Sequence, residues 1–65
     1  MKLNYFRDTD SLYIDLSSKP SHDSREVAPG IVIDYDDTGR IIGIDIDQAS
    51  KQLDLKAVAN ELVES

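Results

Sequence analysis

Apolar and polar positions alternate along most of the chain before residue 48, and each alternating stretch predicts a strand. In Ser11-Leu12-Tyr13-Ile14-Asp15-Leu16, the side chains of Leu12, Ile14 and Leu16 fall on one side and Tyr13 and Asp15 on the other. This two-residue period is that of a half-buried strand over about 11–16. The preceding Lys2–Arg7 segment predicts a strand over about 2–7, and Asp8-Thr9-Asp10 between them is turn chemistry. Pairing Arg7 with Leu12, Tyr5 with Ile14 and Leu3 with Leu16 gathers the apolar side chains on one face. Phe6 then points outward beside Tyr13.

Residues 17–24 are polar and turn-rich and predict a loop. A further strand is expected over about 25–35, with Pro29-Gly30 marking an edge, a bulge or a strand start. Another is expected over about 41–47, joined to it through Asp36–Arg40, where Gly39 supplies a left-handed position. Matching faces pairs Ile33 with Ile44 and Tyr35 with Ile42, which asks for a loop of two or four residues. Gly43 then opposes Asp34, and Asp34, Asp36, Asp45 and Asp47 share the outer side. Past Lys51 the period lengthens: Leu55, Val58, Ala59 and Leu62 form one stripe of a helix over about 54–63. Asp54 suits its N-cap, and Leu53 could staple onto Val58. So short a helix needs a surface to pack on. The expected fold is therefore α+β: a four-stranded antiparallel β-meander of two hairpins, with one C-terminal helix packed on one face, in one domain over 1–65.

Size and charge narrow the function classes. A chain of 65 residues builds a small core, so a partner chain or a bound ion is an expected support. The sequence contains no cysteine, which removes disulfides, thiolate zinc sites and cysteine nucleophiles. No apolar run is long enough to span a bilayer, and the first residues do not read as a signal peptide, so neither membrane insertion nor export is expected. Seven basic against thirteen acidic residues leave a net charge of −6, which disfavours direct contact with a nucleic acid backbone.

The carboxylates are the densest polar feature. Asp34 to Asp45 loosely follows a calcium loop, with Asp34, Asp36 and Asp37 near one end, Gly39 at its sixth position and Asp45 at its twelfth. Flanks that alternate with period two speak instead for a hairpin with a solvated acidic face. Paired aspartates also suit general acid–base work, but a single sheet with one short helix leaves little room for a water-excluding pocket. Ser21-His22-Asp23 are adjacent in sequence, which is not a catalytic triad, because a triad converges in space. No enzymatic activity and no cofactor are expected. Phe6 and Tyr13, outward beside Asp15, suit a partner surface in which aromatics anchor and negative charge selects a basic protein. An exposed edge strand would add self-association.

Tyr5, Asp10 before Leu12-Tyr13-Ile14, and Glu26-Val27-Ala28-Pro29-Gly30-Ile31 together resemble a small prokaryotic family, domain of unknown function 2283. Asp34-Tyr35-Asp36 with Gly39, Ile42-Gly43-Ile44 and Ala49-Ser50-Lys51 extend the resemblance over nearly the whole chain. Phe6 departs from the pattern, standing where the family more often places a small polar or acidic residue. The resemblance implies a compact β-meander plus helix, a cytoplasmic location and no catalytic residues. It also implies an antitoxin-like or partner-binding role, since such proteins are often encoded near short toxin-like proteins.

Overall fold

The computed structural model describes residues 1–54. Five strands follow one another: β1 (Lys2–Phe6), β2 (Ser11–Asp15), β3 (Asp23–Ala28), β4 (Ile31–Tyr35) and β5 (Ile41–Ile46). A single helical turn, α1 (Ala49–Gln52), comes next. The strand expected over 25–35 is thus two strands, which raises the count from four to five. Pro29-Gly30 forms the whole turn between them, with Ala28 opposite Ile31 and Gly30 at φ +78°. Proline followed by glycine at positive φ is the signature of a type II turn, which reverses the chain where the expected strand would have run on.

All strands pair antiparallel, in the order β1-β2-β5-β4-β3. This is a correction to the expected meander, because β2 pairs with β5 and not with the strand that follows it. The segment after β2 therefore crosses the end of the sheet, under β5 and β4, to reach the far edge. Backbone bonds hold it there: Leu16 N–H donates to Ile42 O (2.9 Å) and His22 N–H to Tyr35 O (2.8 Å). Lys19 Nζ also stands 3.9 Å from the Asp36 carboxylate.

Two expected registers are adjusted. In the first hairpin Leu3 opposes Ile14 and Tyr5 opposes Leu12, a shift of two residues that keeps the same apolar set on the same face. In the β4–β5 hairpin, Ile33 opposes Ile44 and Asp34 opposes Gly43 as the alternation requires. Tyr35, however, opposes Ile41 and not Ile42, because a bulge intervenes. Asp36 N–H donates to Arg40 O (2.9 Å), so the loop is Asp37-Thr38-Gly39. The extra residue in the bulge reconciles this odd loop with matched faces.

Leu12, Ile46 and Ala49 form the buried cluster, with Leu3, Ile14, Ile31, Ile44 and Leu53 packed against it. Ala49 enters because α1 folds back over the sheet. The helix expected over 54–63, with Leu55, Val58, Ala59 and Leu62, lies outside the described residues apart from Asp54. Among the described residues, no helix is long and apolar enough to cross a membrane.

Candidate functional site

The registers set the outer sheet face in two rows. One runs Asn4, Tyr13, Asp45, Val32, Glu26 across all five strands, and the next runs Lys2, Asp15, Gly43, Asp34, Ser24. Four carboxylates thus stand in these two rows against the one ammonium of Lys2. Asp45 and Glu26 are exposed, while Asp15 and Asp34 are half-buried.

Tyr13 joins the two rows. Its hydroxyl slants over Gly43 and donates to Asp34 Oδ2 at 3.0 Å, while Ser24 Oγ donates to Asp34 Oδ1 at 2.6 Å. The crossing depends on glycine: a Cβ at Gly43 would stand 2.6 Å from Tyr13 Cζ. Burial first, and then the bond to Asp34 and the charges of Asp34, Asp15 and Asp45, raise the Tyr13 phenol above its ordinary pKa. The hydroxyl therefore stays protonated and serves as a fixed donor.

The expected aromatic pair is changed by this geometry. Tyr13 opposes Asn4, and Phe6 opposes Ser11, so the two rings share a face without lying directly across from each other. Phe6 is 55% exposed. Tyr13 is half-buried and committed to Asp34. Asp15 lies beside it in the second row, opposite Gly43.

The four aspartates of the calcium alternative are separated. Asp36 is not on the outer face with Asp34, Asp45 and Asp47, since it is only 4% exposed, inside the β4–β5 turn. Its Oδ1 accepts from the Thr38 hydroxyl (2.7 Å), Thr38 N–H (2.9 Å) and Arg40 N–H (3.0 Å). The Thr38 hydroxyl first and the Arg40 N–H next hold this carboxyl below its ordinary pKa. Asp37 is exposed on the loop, and Asp34 is engaged by Tyr13 and Ser24. Among the described residues, no group of three or more His, Asp or Glu is placed to hold a metal ion. His22 is exposed beside the β4–β5 turn.

A second polar node was not visible from spacing. Asp10, in the left-handed region at φ +53°, accepts the Tyr5 hydroxyl (2.6 Å) and Ser50 N–H (3.1 Å) on Oδ1, and the Ser50 hydroxyl (2.6 Å) on Oδ2. It therefore caps α1 from a turn forty residues away. Its own backbone carbonyl accepts Ala49 N–H at 2.8 Å. The bonds from Ser50 and then Tyr5 hold the Asp10 carboxyl below its ordinary pKa, and the same bond holds the Tyr5 phenol above its own.

The node and the crossing use residues that carried the family resemblance: Tyr5, Asp10 and Ser50 in one, Tyr13, Gly43 and Asp34 in the other. No curated protein and no solved structure matches the chain. The model of the family described as Protein of unknown function (DUF2283) matches residues 2–50, which takes in all five strands and the start of α1, and the chain belongs to that family.

Proposed function

We propose that this chain is a non-enzymatic protein-interaction module of the cytoplasm, antitoxin-like, which self-associates and takes a small basic partner protein on its outer sheet face. One observation carries the reading: the two rows place Asp15, Asp34, Asp45 and Glu26 on a single face, with Lys2 as their sole cationic neighbour in those rows. Such a surface draws lysine and arginine side chains by complementary potential. Phe6, exposed at its margin, supplies an apolar anchor. Asp34 is held by Tyr13 and Ser24 and so presents its charge without side-chain rearrangement.

Calorimetric titration with a lysine- and arginine-rich peptide tests this reading. Asp45→Asn with Glu26→Gln removes two charges from the face, while Asp8→Asn with Asp37→Asn removes two exposed charges elsewhere. The face pair and Phe6→Ala should weaken binding more than the control pair. Equal weakening by both charge pairs would reduce the effect to net charge and overturn the proposal.

A further inference from the structure

The two edges of the sheet are not equivalent. β3 is guarded: a bulge interrupts its register between Glu26 and Ala28, it carries Asp23, Arg25 and Glu26, and Pro29 follows it. β1 has neither a bulge nor a proline, and its one charge is Lys2. Its pairing with β2 is regular over all five residues, and its free side meets no other strand among the described residues. Unpaired backbone groups on an unguarded edge are a template for another strand. Large exposed apolar residues also collect here, since Met1, Tyr5 and Phe6 make up half of the six such residues described.

We propose that β1 pairs antiparallel with β1 of a second copy of this chain about a two-fold axis through Asn4, joining two five-stranded sheets into one. The proposal rests on the interaction-module reading and names the partner and surface for its self-association.

Self-complementarity supports it. An axis perpendicular to the sheet keeps the faces continuous, and the register centred on Asn4 pairs every residue of Lys2-Leu3-Asn4-Tyr5-Phe6. Leu3 then faces Tyr5 of the second copy on the apolar face, which extends the core side. Lys2 faces Phe6 of the second copy on the outer face, a cation over an aromatic ring. Asn4 faces its own counterpart. Charge points the same way. The chain carries −6 overall, yet residues 1–7 hold Lys2 and Arg7 and no acid, so this edge is where two copies approach without opposing carboxylates. The interface is isologous and leaves only the guarded β3 edges outside, so assembly closes at the dimer.

Sedimentation velocity over a concentration series of the full chain tests the proposal. Asn4→Lys and Asn4→Asp each place like charges about 5 Å apart across the axis. The wild type is expected to reach twice the monomer mass with rising concentration, while each variant stays monomeric. An equimolar mixture of the two variants should recover the dimer. Hydrogen exchange on the wild type adds a measurement that needs no variant: β1 amides should slow with concentration while β3 amides do not. A wild type that stays monomeric, variants that dimerise as it does, or protection appearing on β3 would overturn the proposal. Because mass and exchange are read without any cationic peptide, failure here and failure of basic-partner binding are separable.

Discussion

Tyr13 and Asp34 lie on strands that do not pair, β2 and β4, yet the phenol hydroxyl donates to the carboxylate at 3.0 Å. β5 separates them, and only Gly43 on that strand leaves room for the ring to cross. Ser24 on β3 completes the link from the far side. One carboxylate is thereby held from both flanks on one face of the sheet.

Adding a methyl group at Gly43 should break the crossing. Gly43→Ala is expected to destabilise the chain by about 1–3 kcal/mol, the usual cost of overpacking a filled site. Combined with Tyr13→Ala, the alanine at 43 should cost much less than it does alone. Denaturant unfolding of the four-member cycle measures that coupling.

Tyr13→Phe keeps the ring over Gly43 and removes only the donor. The expected loss is about 0.5–1.5 kcal/mol near neutral pH. Its alkaline behaviour is more specific. The Tyr13 pKa is raised above 10.0 in the fold, so the unfolded chain ionises first as pH climbs. The stabilisation is whole below pH 10.0 and is lost as pH rises through the folded value. The phenylalanine variant should lose stability less steeply in that range, with Tyr5 accounting for part of the remainder. Melting curves taken on both sides of that pH provide the check.

Asp10→Ala should loosen α1 from the first turn, leaving the backbone bond from Ala49 N–H to the carbonyl at position 10 and the β1–β2 ladder in place. Local opening at Ala49 and Ser50 is expected to rise on the order of fivefold, as for the loss of one helix cap. Ser50→Ala should reproduce part of this effect, because it removes the hydroxyl bond and keeps the backbone one. Native-state hydrogen exchange reads both variants.

Acid should weaken the fold at these carboxylates. Asp10 and Asp36 are both held below the ordinary value of 3.8, Asp10 by Ser50 and Tyr5 and Asp36 by Thr38 and Arg40. Depressed folded values mean that their stabilisation is complete above pH 3.8 and is lost as pH falls through the lowered folded values. Asp36→Asn and Asp10→Asn should each flatten the acid limb of stability against pH, measured by thermal melts.

Much of the sheet was legible because period-two alternation assigns faces directly. Leu3, Tyr5, Leu12 and Ile14 share a face whether the first hairpin pairs as expected or two residues away, so the core side survived a register shift. Ile33 opposite Ile44 and Asp34 opposite Gly43 followed from the same rule. The rule assigns faces but not neighbours, and so the β2–β5 pairing was not readable. Pro29-Gly30 marks an interruption in the alternation, and the reversal there rests on the positive φ of Gly30, which lets two residues turn β3 back onto β4. The Tyr13–Asp34 bond had a sequence signal in Gly43, an isolated glycine inside a strand, which marks close approach of another group. The Asp10–Ser50 node had none, because nothing local connects residues forty apart.

The passage of Leu16–His22 across the end of the sheet divides the chain into two pieces with their own local order. β1 and β2 make one, and β3, β4 and β5 make the other, each built from neighbours in sequence. The ladder between β2 and β5, with the Asp10–Ser50 node at one end and the Tyr13–Asp34 bond across it, is the seam between them. Loop closure costs more the longer the chain it spans, so this seam is expected to zip after the two local pieces. A nick in the crossing segment would leave two fragments able to rejoin along that line.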